Sequence, residues 1–541
     1  MKKKYIYHIA VLLTGVAVNG YSQDTYETAR LLNNDLNGTA RYVGMGGALE
    51  ALGADISTTG TNPAGIGLFR HSTVSTSIGM VAQNDAQSFD GLSKVNASFD
   101  QLGFVYSVQT GNTSFFNMAL NYHKSRNFDQ ILSVANSLNG NSLNKITYLK
   151  NTLGDVTNGG YYLDKNDKGD FIGWEDKTSD YRACTFSQLD YLNANAVLYD
   201  PNTKSFYYSD ANAFNFNRAH RGSINNFDIN ISGNIDDRLY LGLTAGIHQV
   251  NYQGYTEYAE NIVDLNSKSV GTISYTDERK IEGSGFDLKL GAIVRPFEES
   301  AFRAGVYLAT PTWYELKTSN HTEINNKANG NNYHGKNGPG YDEYEFKMST
   351  PWMFGVSVGH TFGKSLAVGA SYEYTDNSST DVREYTTYNS YGTQDSKSDR
   401  VMNGHIAKSL NGVSTLKAGA EWKPMPSFAV RLGYNYVSPM FKTDATRTTQ
   451  LDSYGVMYAS TADYTNWKDT HRVTAGLGFR TGHVNIDVAY QYAVTDGDFY
   501  PFQSKLTYHN GQNIAENTQF STPTSVSFKR NQLLFTLGYT F

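Results

Sequence analysis

The chain predicts an all-β transmembrane fold. It reads as a 14-stranded antiparallel outer-membrane β-barrel with a short N-terminal plug, or hatch, of small helices and Gly-rich loops. Three observations point there. The last nine residues are LLFTLGYTF, in which Leu533, Phe535, Leu537, Tyr539 and Phe541 alternate with Leu534, Thr536, Gly538 and Thr540. One apolar face for lipid and one small or polar face for a lumen is the pattern of a barrel strand. From Thr73 onward the apolar period is two, and the connections between candidate strands alternate between short and long. A barrel with tight turns at one end and long loops at the other gives that alternation directly. Finally, only 39% of residues are hydrophobic, yet there are 40 Tyr, 28 Phe and 50 Gly. A polar lumen flanked by aromatic girdles accounts for this mixture.

Residues 1–22 read as a secretory signal peptide. Lys2, Lys3 and Lys4 supply the positive region, residues 9–18 an apolar stretch too short to span a bilayer, and Gly20 and Ser22 the small residues before a cut at Gln23. Residues 23–72 form the hatch. Residues 25–34 and 48–52 suit short helices, the second broken by Gly53, and the Gly, Thr and Pro that follow suit a compact irregular segment. Residues 73–541 form the barrel.

The fourteen strands are placed at 73–83, 95–109, 113–125, 222–233, 239–252, 282–295, 301–316, 346–362, 366–374, 414–423, 428–437, 471–480, 484–494 and 526–541. Pro311, Pro351 and Pro439 fall in or beside strands, and each removes a ladder donor. Asp487 falls opposite Ile486, which puts its carboxylate in the lumen. The longest loop is 126–221, and an even strand count returns both termini to the periplasmic side. Tyr539 and Phe541 resemble the C-terminal signal read by the outer-membrane barrel assembly machinery.

The formal charge is −6, and −9 without the three signal lysines. With no clustered basic stretch, this argues against a nucleic-acid partner. The lone Cys184 excludes an internal disulfide. Residues 164–175 match a calcium loop in part, with Lys168 breaking the pattern, so no metal is expected there. No cofactor is expected, and no nucleophile–base pair or metal-binding helix motif points to an enzyme.

Residues 41–67, RYVGMGGALEALGADISTTGTNPAGIG, carry a resemblance. Gly44, Gly46, Gly47 and Ala48 lead to Ala51 and then to Asn62, Pro63, Ala64 and Gly65 immediately before the first strand. This segment resembles the N-terminal hatch of the FadL/TodX family of outer-membrane transporters of hydrophobic compounds, including long-chain fatty acids. The strand count also matches that family. One departure is that the family's acidic pair is reduced here to Asp55. The resemblance implies a passive channel: a hydrophobic small molecule binds among the outer loops, moves to an inner apolar pocket, and leaves when the hatch shifts, with a lateral exit through the wall. It implies a monomer among outer-membrane lipids and lipopolysaccharide. Asn62, Pro63, Ala64, Gly65, Gly44, Gly46 and Gly47 are the candidate gating residues. Met45, Leu49, Leu52, Ile66, Leu68 and Phe69 are the candidate pocket residues. Two alternatives remain open: a haem receptor on the same barrel, using His321 or His334, and an adhesive or structural barrel.

Overall fold

The computed structural model describes residues 24–151, 161–165, 171–175, 187–200, 205–337, 340, 342–388, 394–451, 453–510 and 513–541. The signal-peptide expectation, Cys184 and residues 166–170 of the partial calcium loop lie outside these residues.

Fourteen strands close into one antiparallel barrel. In chain order they are β1 (Thr73–Gln83), β2 (Val95–Gln109), β3 (Phe115–Asn127, continued by Gln130–Ser137), β4 (Asp210–Ile235), β5 (Leu239–Val263), β6 (Ser269–Val294) and β7 (Arg303–Ala309, then Trp313–Ala328). The remainder are β8 (Asp342–Ser349, then Met353–Phe362), β9 (Leu366–Asp376, continued by Asp381–Tyr388), β10 (Gly412–Met425), β11 (Phe428–Val437), β12 (Tyr464–Thr481), β13 (Val484–Tyr500) and β14 (Thr524–Thr540). The ring closes where β14 pairs with β1, from Thr73 opposite Thr540 to Gln83 opposite Arg530. Closure leaves no edge strand in the ring, as a sheet in hydrocarbon requires.

The two faces separate as the alternation demands. Leu102, Phe104, Leu120, Ile229, Ile231, Leu241, Leu243 and Leu290 are exposed on the outside, while Gln101, Asn121, Asn230, Ser232 and Thr244 are buried within. Phe286 stacks on Trp313 at 6.5 Å, and Trp352 is exposed at the same level of the wall.

Three differences from the sequence reading have identifiable causes. The second hatch helix lies at Ala40–Gly44, not 48–52. Thr39 starts it by accepting from Tyr42 N, and Gly46 and Gly47, at φ +64° and +82°, end it by turning left-handed. The expected long loops are largely strand: β4, β5 and β6 are each 25 or 26 residues long, far beyond the ~9–11 needed to span a bilayer. Their polar stretches hid this extension. Most of the 126–137 and 210–221 parts of the longest loop are therefore wall. Finally, β7 and β8 are interrupted at Pro311 and Pro351, whereas Pro439 follows β11. The ladder is restitched there by threonines, with Thr312 N donating to Thr350 Oγ1 at 2.8 Å and Thr350 N to Thr312 O at 3.1 Å.

The interior is filled in layers. Far from the short turns, the extended strands enclose a core around Phe216, Tyr258, Tyr275, Phe499 and Phe502, packed with α3 (Leu143–Asn151) and α4 (Gln188–Asn193). A middle layer joins α1 (Thr25–Leu32) to α5 (Arg400–Ser409) through Ala29, Leu31, Met402 and Ile406. The hatch, with α2 (Ala40–Gly44), fills the end nearest the short turns.

Leu243 pairs with Leu290 in the middle of the outer apolar band. Leu243→Arg is expected to lower folding stability in phospholipid vesicles by ~2–4 kcal/mol, measured by urea titration. A loss under ~1 kcal/mol would place this band away from the bilayer centre.

Candidate functional site

The hatch is seated on glycine. Gly359, Gly369, Gly419 and Gly433 stand side by side on β8, β9, β10 and β11 as successive ladder partners. Gly242 and Gly291 pair on β5 and β6. A Cβ on Gly419 would lie 2.2 Å from Met45 O, on Gly369 2.2 Å from Ala48 O, on Gly433 2.2 Å from Gly46 N, and on Gly291 2.0 Å from Asn62 Oδ1. The hatch backbone thus touches the wall backbone, which only glycine permits.

Polar posts fix the same contact. Asn62 caps the turn Pro63–Leu68 by accepting from Ala64 N at 3.2 Å, and its Nδ2 donates to Glu50 O at 3.0 Å. Lys417 binds Glu50 at 2.8 Å and Glu373 at 2.6 Å, and Tyr42 donates to Glu50 at 3.0 Å. Burial, then the Glu50 carboxylate, pushes the Tyr42 phenol well above its ordinary range. Arg41 pairs with Glu421 at 3.1 Å, and Arg431 joins Glu421 to Asp487. Asp487 is therefore in the lumen, as its alternation requires.

The candidate gating residues Gly44, Gly46, Gly47, Asn62, Pro63, Ala64 and Gly65 all lie at or beside these contacts. Met45, Leu49 and Leu52 pack together in one hatch core, with Ile66 in a second. Leu68 and Phe69 are half-buried at the edge of the hatch and line a cavity of 460 Å³ at the end with the short turns. Tyr539 and Phe541 pack edge to face at 5.1 Å, and Phe541 N donates to Ser72 O at 2.9 Å where β14 meets β1. His321 and His334 lie on strands at 3.2 Å from Glu323 and 3.1 Å from Asn325.

Two chambers lie above the hatch. The upper, 180 Å³, has apolar walls from Phe128, Met440, Phe441, Trp467 and Phe528. Seven cationic side chains line it (Arg30, Arg126, Arg218, Arg447, Lys468, Arg472, Arg530) against four acidic ones (Glu27, Asp35, Asp129, Asp463). Arg447 pairs with Asp24, which caps α1, and Arg279 with Glu27. Burial raises Glu27 despite Arg279 beside it. Among the described residues Arg30 and Arg472 make no ion pair; they bond Tyr252 OH at 2.6 Å and Asn435 Oδ1 at 2.7 Å. The Nε atoms of Arg126, Arg218 and Arg530 are buried without a protein partner. The chamber thus combines apolar surface, two arginines without an ion pair among the described residues, and unused donors. That chemistry suits an anion carried on an apolar body.

The lower chamber, 230 Å³, is bounded by His123, His248, Asp287, Lys289, Glu373 and Lys417 among others. A larger depression of 880 Å³ lies on the outside, over Leu241, Leu243, Leu290, Val306 and Phe354. Its side chains are the exposed set of the alternation, so it meets lipid rather than lumen.

The wall parts next to the upper chamber. β2 pairs with β3 only from Gln101 opposite His123 to Gln109 opposite Phe115. Beyond that, residues 95–99 of β2 pair with β1 alone and Gln130–Ser137 of β3 with β4 alone. The Gln83 side chain bridges the parting, with Nε2 donating to Ile131 O at 2.6 Å and Oε1 accepting from Ile131 N at 2.8 Å.

The chamber residues come from α1, the hatch connector, β3, β4, β11 and the segment after it, β12, β13 and β14, so no local motif groups them. One signal was available. Arg472 and Arg530 sit inside strands expected to span the membrane, where a charge must face the lumen.

No family model and no curated protein matches the sequence. Solved structures do resemble it in fold. They include the CymD monoaromatic hydrocarbon channel (10% identity, TM-score 0.47, covering 94% of this chain and 99% of that one). The Ralstonia pickettii toluene transporter TbuX matches at 11% identity and TM-score 0.45, with 94% and 99% covered. A Pseudomonas aeruginosa FadL homologue matches at 12% identity and TM-score 0.45, with 97% and 100% covered.

Gly419→Ala is expected to leave a folded barrel, seen as heat-dependent gel mobility, while unseating Met45 and raising ion conductance in planar bilayers. Gly404→Ala, on α5 with open space around it, is the control. Equal conductance in both would show that the hatch does not depend on this contact.

Proposed function

We propose that the protein is a passive channel for hydrophobic small molecules in the outer membrane of a Gram-negative bacterium. The carrying observation is the upper chamber, in which aromatic and aliphatic walls meet Arg30 and Arg472, which make no ion pair among the described residues. A long-chain fatty acid has that combination of tail and head. Both ends of the lumen are closed, by the packed core around Phe216 and Phe499 and by the hatch, so passage requires rearrangement. The ligand enters through the outer layer, occupies the upper chamber, and leaves as the hatch yields or through the parting between β2 and β3. The parting supports the lateral route because side chains and packed loop residues span it in place of a backbone ladder, among them Gln83 on Ile131, Lys124 on Ser98 and Asn136 on Thr524. No energy input is invoked; the solute moves down its own gradient. In this reading Phe541 and the short turns lie at the periplasmic end.

The test is equilibrium binding of a fluorescent long-chain fatty acid to the purified, folded mature protein. Saturable binding is expected, weakened about tenfold by Arg472→Gln and by Phe128→Ala, a loss equivalent to ~1.4 kcal/mol. Absence of saturable binding would overturn the channel assignment for this substrate class.

A further inference from the structure

The connector between α1 and α2 carries one acidic side chain, Asp35, and that side chain sits among the chamber's arginines. Arg126 Nη1 approaches Asp35 Oδ1 at 3.1 Å, and Arg530 Nη1 approaches Oδ2 at 3.1 Å. Asn127 N donates to Oδ2 at 2.9 Å, and Asp35 N donates to Ser125 O at 2.8 Å. Burial would raise this carboxyl, but Arg126 and Arg530, with Arg472 nearby, hold it well below the usual carboxylate range. It is charged, and it occupies the spot where a ligand's anion would be best held.

Its position in the lumen is as informative as its partners. The upper and lower chambers share Asn33, Asn34, Asp35, Val437 and Arg472 in their walls. The connector is therefore the partition between them. Neither chamber alone reaches the ~300 Å³ of an ordinary small-molecule site. The same connector leads into the hatch, where Asn37 Nδ2 donates to Asp100 Oδ1 at 2.9 Å and Asn37 Oδ1 accepts from Gln532 at 3.0 Å. Arg126 lies at a register shift in β3, next to the Asn127–Gln130 break that borders the wall parting. One carboxylate ties together the partition, the hatch and the interrupted strand.

We propose that Asp35 is a built-in surrogate for the head of the transported molecule. An amphiphile with one carboxylate on an apolar tail takes the place of Asp35 on Arg126 and Arg530, releases the connector, and joins the two chambers into one. The exchange replaces one carboxylate by another, so no arginine is left buried and unpaired, which is the costly state. An uncharged molecule of equal length cannot make this exchange and leaves the partition in place. This rests on the channel reading above and adds a head-group requirement and a trigger to it.

The experiment compares a fluorescent long-chain fatty acid with its methyl ester on the purified, folded full-length mature protein. Asp35→Asn removes the internal competitor without changing its size. The acid is expected to bind about tenfold tighter to this variant than to wild type. The ester is expected to bind both alike, and Asp35→Glu to behave as wild type. Equal affinity of the acid for wild type and Asp35→Asn, or weaker binding to the variant, overturns the surrogate role while leaving the channel reading intact. Failure of both probes to bind either protein overturns the channel reading itself, and this proposal with it. A second readout needs no variant. In wild type the acid, and not the ester, should increase protease cleavage within residues 33–37. Cleavage increased by both probes or by neither counts against the exchange.

Discussion

Closure of β14 onto β1 is the constraint from which the rest follows. A sheet in hydrocarbon cannot leave backbone donors and acceptors open, and the ladder from Thr73 with Thr540 to Gln83 with Arg530 removes the last edge. Once the ring is closed, each strand has one face for lipid and one for an interior shielded from it. The interior then tolerates what lipid does not. Charges such as Asp228, Lys289, Glu421 and Arg431 are buried, but each faces a partner of opposite sign on a nearby strand.

The closed interior creates a second problem, because a plug must be held tightly and still be able to move. Glycines bring the wall and hatch backbones into contact, as at Gly419 with Met45 and Gly242 with Pro63. Such a fit is steric and short-ranged, and it is lost over a displacement of about an ångström. The ion pairs act differently. Lys417 with Glu50, and Arg126 and Arg530 with Asp35, hold charged groups that can exchange one partner for another. Steric seating fixes where the hatch sits, and in the proposed exchange the ion pairs give it a route to release.

The long strands add a third element. By rising past the membrane, β4, β5 and β6 carry a hydrophobic core out to where Phe216, Tyr258 and Phe499 seal the upper lumen. The upper chamber lies beneath this cover, beside the interrupted β3 and the parting from β2. Cover, chamber and wall parting are thus neighbours.

The alternation of side chains by itself determined the barrel. Strands 73–83, 95–109 and 428–437 match to the residue, and all fourteen are present. Lipid enforces a strict period of two on whatever spans it, so that part of the fold is written locally. The upper halves of β4 to β6 were not legible, because outside the membrane both faces of a strand can be polar. The helix at Ala40–Gly44 was misplaced because its ends are set by Thr39 and by left-handed Gly46 and Gly47, not by its apolar pattern. The chamber was least legible. Asp35 and Phe128 lie hundreds of residues from Arg472 and Phe528, and only ring closure brings the first strands beside the last. The sequence states which residues face inward, and the closed ring alone decides which of them meet.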